Sequence, residues 1–381
     1  MSDVLAENAA NPLEVFSTRA VFFCSGLAVA TWAAIIPLIK RNTGISDGTL
    51  GWLLLCLGTG AILSMPISGA LAPKFGCRRI ILVAGALFSL VVLLLPWASN
   101  STELMLLLLL SGFGLGAADC VMNIQAILVE KRAGTNLMSG FHGFYSLGGI
   151  FGAGIMAFLL NLKVTASQSC VLVALLVVGT LWYARGGLLP FASPKEGPAF
   201  AIPRGPVLLI GLICFALFLA EGTVLDWSGV YLTEYQHTSH SNAALGLFCF
   251  SVTMTLGRLT GDQLIRRVGA RPVLTLGGLV ASGGLFLAVS APGPVMALVG
   301  YALVGIGCSN IVPIMFSATG KQTLMPQSIA VPAVSTLGYI GVLAGPASVG
   351  QLAQYFSLPV ALYAIATLIA LATLLSLRVR V

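Results

Sequence analysis

The sequence predicts an all-α membrane protein with twelve transmembrane helices in two pseudo-symmetric six-helix bundles. Composition is the first reason: 57% of the 381 residues are hydrophobic and 8% are charged, where a soluble domain carries roughly a quarter charged residues. Mean hydropathy is +0.99. The second is run length, since apolar runs of about 20 residues, enough to cross a ~30 Å hydrocarbon core, recur along the whole chain. They are continuous rather than alternating, which makes them helices, the structure that satisfies its own backbone in lipid. The third is an internal repeat. GLGAAD (Gly114 to Asp119) matches GIGCSN (Gly305 to Asn310), YSLGGI from Tyr145 matches STLGYI from Ser335, and GALAPKFGCRR matches GDQLIRRVGAR, at offsets of 191, 190 and near 192. Three matches in one order point to duplication of a six-helix unit, as in transporters with a midplane site between paired halves.

Taken in order, spans are expected near 16–39, 48–72, 79–98, 103–130, 137–162 and 166–189, then near 207–235, 241–265, 272–291, 294–319, 328–353 and 357–377. Residues 1–15 form a polar tail without the basic start and cleavage site of a signal peptide. The first bundle is 16–189, the second is 207–381, and the linker 190–206 contains prolines that stop a helix. Lys and Arg set the orientation. Fifteen fall in loops on one side and three, Lys40, Arg41 and Lys163, on the other, with Arg258 inside a span. Both termini and the linker are therefore expected in the cytoplasm, with the chain in a cell membrane, the inner membrane of a bacterium.

The net charge of +7 does not mark a nucleic-acid binder, because the cations are distributed by loop and not by patch. The eight cysteines lie far apart in sequence, without disulfide or metal-ligand spacing, so no metal is expected. No phosphate-binding GxxxxGK[ST] loop occurs, which argues against ATP as direct energy source. The expected partners are a small-molecule substrate and the bilayer, the chain is expected to be a monomer, and no cofactor is expected beyond a proton as coupling ion.

The stretch from Gly112 to Gly149 carries the most chemistry. Asp119 lies in the fourth span with Asn123 one turn later, and an ionisable residue at membrane depth is by default a functional candidate. Gly112, Gly114 and Gly116 precede it at the small-residue spacing that lets helices approach. Desolvation disfavours a charged carboxyl, so an acid there can gain and lose a proton as a relay must. The competing reading is a permanently neutral acid bonded across helices. Asn310 is its neutral counterpart in the repeat.

His142 and Tyr145, at i and i+3, share a face of the fifth span and suit a polar substrate or a proton. In AEGTVLDWSGVYL of the seventh span, Glu221 lies roughly 20 Å deep by helical rise, and Asp226 lies near the outer interface. Glu221 is the second proton-coupling candidate. Asp226 and Trp227 are substrate candidates, and Gly222 and Gly229 predict an unwound or kinked segment. Trp227, Tyr231 and Tyr235 also read as an interfacial aromatic belt. Trp32 and Pro37 in the first span, with Asn310 and Pro313 in the tenth, are candidate lining residues. Arg258 reads as structural, within reach of Asp262.

The loops after spans two and eight resemble those of the major facilitator superfamily, the MFS. That family's pattern is Gly, three residues, Asp, Arg or Lys, one residue, Gly, then basic residues. Gly69, Lys74, Gly76, Arg78 and Arg79 fit it, with Pro73 in the acidic slot. Gly261, Arg267, Gly269 and Arg271 fit the second copy, with one extra residue and Arg266 in that slot. In the family this acid helps latch the cytoplasmic ends, so both copies are expected to lack the latch. GLGAADCVMN, HGFYSLGG, AEGTVLDWSGVYL and, more weakly, GRLTG are most similar to the YbjJ-like and fucose-proton symporter-like group. The resemblance implies the MFS fold, proton coupling through Asp119 with Asn123, and His142 in place of a sugar-site Gln. The acid that those symporters carry four residues before a Pro in span one is absent here, where Ala33 stands.

The expected function is therefore secondary active transport of a small polar, sugar-like solute by alternating access, by H+ symport through Asp119, with no enzymatic activity. Proton-antiport efflux of amphipathic compounds is the alternative. The drug antiporters' Gly-Pro motif is missing from span five, although a Gly345-Pro346 step occurs in span eleven. A facilitator without protons follows if Asp119 is only structural. A membrane sensor or integral membrane enzyme would need a signalling domain or catalytic cluster that loops of this size do not offer.

Overall fold

The computed structural model describes residues 11–45, 47–193, 202–239, 242–290 and 292–381. Lys195 and His240, residues 194–201 of the linker and the first ten residues lie outside these, as do the side chains of Pro37, Lys40, Arg41 and Pro346. The described residues form twelve α-helices in chain order: α1 Pro12–Thr43, α2 Asp47–Leu94, α3 Ser101–Ala133, α4 Met138–Asn161, α5 Ala166–Ala184, α6 Pro206–Glu234, α7 Leu245–Val268, α8 Ala270–Ser290, α9 Pro294–Cys308, α10 Ile311–Lys321, α11 Gln327–Tyr355 and α12 Leu358–Ser376. Two of these depart from one helix per span. Helix α2 turns at Gly76 and makes two passes, and the tenth span is divided at Ser309–Asn310 into α9 and α10. Ten segments among the described residues are long and apolar enough to cross a membrane. Helix α7, with Arg258, Asp262, Arg266 and Arg267 along it, is not one of them on apolarity alone.

Local chemistry sets the helix ends. Asn100 caps α3 by accepting from the Glu103 amide at 2.9 Å, while the Glu103 carboxylate accepts from the Ser99 amide. The helix stops at Gly134, whose φ of 62° is left-handed and whose N–H returns to the Glu130 and Lys131 carbonyls. Thr165 and Gln168 form a reciprocal capping box at α5. All eight cysteines are free thiols.

Contacts gather the chain into two compact units. The first comprises Met1–Thr135, Phe144–Ile202 and Pro326–Pro332, and the second Asn136–Gly143, Pro203–Met325 and Ala333–Val381. The boundaries therefore cut α4 after Gly143 and α11 after Pro332. In the first unit, α3 lies against the first limb of α2 at backbone distance. A methyl added at Gly112 or Gly116 would meet the Leu57 or Ala61 carbonyl, the close approach that small residues allow in membranes. The buried Gln125 side chain then ties three elements, donating to Thr18 Oγ1 and the Gly187 carbonyl at 3.2 Å each and accepting from the Leu189 amide at 3.0 Å.

The loop motif is a helix-end clamp in both units. Gly76 has φ 76°, and the Pro190 carbonyl sits where its Cβ would be. Arg78 Nε donates to the Leu188 carbonyl at 2.8 Å and Nη2 to the Gly186 carbonyl at 3.2 Å, just past α5. In the second unit Arg271 donates to the Leu377 and Val379 carbonyls at 2.7 and 2.8 Å, just past α12. Carbonyls orphaned at a helix C-terminus favour such cations. Gly269 is left-handed at φ 88°, and Gly69 leaves room for the Pro332 ring. Lys74, Arg79 and Arg267 are exposed.

The expected unwinding of α6 at Gly222 and Gly229 does not occur, because the helix runs unbroken from Pro206 to Glu234. Gly229 instead admits neighbouring backbone, since an added Cβ would lie 3.2 Å from the Ala243 carbonyl, whereas at Gly222 the nearest atom would be in ordinary contact. Tyr231 is buried, with its hydroxyl donating to the Val289 carbonyl at 2.7 Å, and stacks on Tyr235, so it packs α6 rather than lying in an interfacial belt. Gly76→Ala is expected to lower stability by about 1–3 kcal/mol, the cost of a strained backbone, before any displacement of Pro190. Gly154→Ala, at a helical site with open space beside it, is expected to be neutral or stabilising by up to about 1 kcal/mol. Thermal unfolding in detergent compares the two.

Candidate functional site

In the second unit the polar groups at membrane depth converge on six residues of α7, Gly257-Arg258-Leu259-Thr260-Gly261-Asp262. A buried guanidinium needs acceptors for a planar fork of donors. Arg258, 6% exposed, finds them on two elements. Its Nη2 lies 3.3 and 3.4 Å from the two carboxylate oxygens of Glu221 on α6, and its Nε donates to the Ser309 carbonyl at 3.3 Å. Ser309 is the first residue of the break between α9 and α10, so the guanidinium serves a carbonyl at the interruption. The two glycines seat the break. A methyl at Gly257 would strike Ser309 Oγ, and one at Gly261 would strike the Asn310 side chain. Asn310 Nδ2 in turn donates to the Gly257 carbonyl at 3.1 Å and to Ser309 Oγ at 2.9 Å.

Asp262 continues the motif to α4. Its carboxylate accepts from the Ser139 and Gly140 amides at 3.0 and 2.9 Å, two of the four N–H groups that a helix start leaves free. His142, on the same turn, packs its ring 5.8 Å from that of Phe316 on α10. The ion pair that the structure gives Arg258 is with Glu221, on another helix, where the sequence suggested Asp262, whose carboxylate accepts from the amides of α4.

In the first unit, Asp119 occupies the middle of α3 and is half-buried. Among the described residues none forms a hydrogen bond or ion pair with its carboxyl. Asn123 is buried and donates from Nδ2 to the Asp119 backbone carbonyl at 2.9 Å, while its buried Oδ1 has no hydrogen-bond partner among the described residues. On the same helix Met122 Sδ accepts from Ser25 Oγ of α1 at 3.5 Å, and Trp32 of α1 is buried. Tyr145 is half-buried and belongs to the first unit, while His142 belongs to the second. Of the α6 candidates, Asp226 is exposed and Trp227 half-buried near Gly350. The structure thus brings together Glu221 and Asn310 around Arg258.

Arg258 and Ser309 are the site residues that sequence reasoning did not assign. A signal existed for the first, since an arginine inside a span is a functional candidate with a partner to be named. Removing one member of a buried ion pair leaves the other uncompensated, at a cost of about 3–5 kcal/mol. Arg258→Met and Glu221→Gln are each expected to destabilise strongly. The double variant is expected to recover much of that loss, a coupling that a double-mutant cycle on thermal unfolding reads directly.

Comparison with known proteins agrees with this architecture. Residues 20–323 match the Major Facilitator Superfamily. An uncharacterised MFS-type transporter of Yersinia pestis is 43% identical over 372 residues, 97% of each chain. The fucose:proton symporter FucP of E. coli superimposes with a TM-score of 0.76 at 17% identity, over 98% of this chain and 100% of that one. The human organic anion transporter MFSD10 superimposes with a TM-score of 0.79 at 14% identity, over 96% and 99%. Duplicated helices, paired loop clamps and these likenesses agree: the chain belongs to the Major Facilitator Superfamily and is a multi-pass membrane transporter.

Proposed function

We propose that this transporter moves a small polar organic solute by alternating access in symport with H+, and that Asp119 is the acid that carries the proton. The observation behind this reading is the contrast between the two intramembrane acids. Glu221 is engaged by Arg258, whereas no described residue engages the Asp119 carboxyl, half-buried in the middle of a membrane helix. An acid left unengaged by the described residues at that depth is by default a functional site, and a proton is the smallest ligand it can hold. The cytoplasmic bias of Lys and Arg in the loops supports a cell-membrane location with both termini inside.

Arg258 favours one substrate class over the sugar-like solute suggested by the symporter resemblance. A guanidinium fork matches a carboxylate in two parallel hydrogen bonds, and in this structure Glu221 already occupies it with one. A solute bearing a carboxylate has the chemistry to compete for the same donors, so small organic acids belong beside sugars in any screen.

The test is transport in proteoliposomes with an imposed proton gradient, using a solute found by thermal-shift screening of sugars and small organic acids. Asp119→Asn is expected to abolish uphill accumulation while sparing solute counterflow, which needs no net proton movement. Accumulation that survives unchanged in Asp119→Asn contradicts the assignment.

A further inference from the structure

The first unit carries a groove unrelated to the polar residues above. It lies between the two limbs of α2 and the middle of α3, with a cavity of about 440 Å³. Leu71, Phe75, Val83 and Leu87 form its walls, and Gly114 and Ala117 form its floor. The hydroxyls of Ser64 and Ser68 also border it, but each is spent on its own helix, donating to the Ala61 and Met65 carbonyls at 2.9 Å. Such a lining offers nothing to a polar solute and suits hydrocarbon. Val83 is 68% exposed, so the groove opens to the outside of the chain.

At its loop end stands Arg79, exposed and without an ion-pair partner among the described residues. Lys74 stands near the same groove, its Nζ 5.3 Å from the centre of the Phe75 ring that forms part of the wall. Arg78, by contrast, is committed to helix-end carbonyls. Among the described residues no acid lines the groove. From Arg79 to Leu87 the helix rises about 12 Å, close to the depth of one leaflet of a ~30 Å hydrocarbon core. The cations thus fall at headgroup level and the apolar walls at chain level.

We propose that this groove is a binding site for an anionic phospholipid of the leaflet on the basic-loop side. One acyl chain lies along Val83 and Leu87, over Gly114 and Ala117, and the phosphate is held by Arg79 with Lys74. The chain end then touches α3 two residues before Asp119, so an occupied groove braces the helix that carries that acid.

Native mass spectrometry of the full-length protein in mild detergent tests this. Dioleoyl phosphatidylglycerol and dioleoyl phosphatidylcholine, identical in their chains, are added at matched concentrations. A cation near the headgroup contributes about fivefold in affinity, so the wild type is expected to retain phosphatidylglycerol at least that much better. Arg79→Gln should lower phosphatidylglycerol binding about fivefold and leave phosphatidylcholine unchanged. Val83→Trp, or Leu71→Trp, fills the groove mouth and should reduce both. Equal retention of the two lipids, indifference of phosphatidylglycerol to Arg79→Gln, or full retention in both groove-filling variants means annular lipid only and overturns the proposal. So does a lipid-free dimer that dissociates in Val83→Trp, which would make the occupant a second copy of the chain.

Discussion

A guanidinium inside a membrane protein must be surrounded by oxygen, and the second unit is built around meeting that demand. Arg258 takes both carboxylate oxygens of Glu221 and the backbone carbonyl of Ser309. That carbonyl lacks its usual donor four residues on, because Pro313 has no N–H. The tenth span is accordingly divided at Ser309–Asn310, and Gly257 and Gly261 leave the space in which the divided ends sit. Ion pair, helix break and glycines form one arrangement, in which removing any member leaves a buried polar group without its partner.

The duplicated units share a plan and differ where the chemistry differs. Arg78 and Arg271 do the same work at the ends of α5 and α12, and Gly76 and Gly269 make the same left-handed turn. The fourth and tenth spans diverge at one matching position. Helix α3 runs through Asp119 without interruption, while its counterpart breaks at Asn310. One copy therefore presents an acid that no described residue engages, and the other presents a neutral amide beside a charged pair. The divergence gives the two units separate tasks, proton and solute, in the proposed reading.

The helices could be read in the sequence because apolar run length is local. The basic residues of the repeated loops stand out in a chain with few charges, but the carbonyls that Arg78 and Arg271 clamp lie 110 and 106 positions away. The break in the tenth span also has a local cause, Pro313, which has no N–H for the carbonyl four residues back, that of Ser309. Its partner was not legible, because Arg258 is 51 positions from Ser309. The misplaced unwinding at Gly229 has the same origin. Glycine marks both an unwound helix and a close approach, and only the Ala243 carbonyl beside it tells which one applies.

The central claim is that solute and proton cross together, with Asp119 as the exchanging acid. Its most direct test is the proton itself, followed with a pH indicator in the weakly buffered medium outside proteoliposomes when solute is added there without an imposed gradient. The account predicts that the outside becomes more alkaline as solute enters, and that wild-type protein shows this while Asp119→Asn does not. Solute entry with no change in pH, or the same alkalinisation in Asp119→Asn, would contradict it.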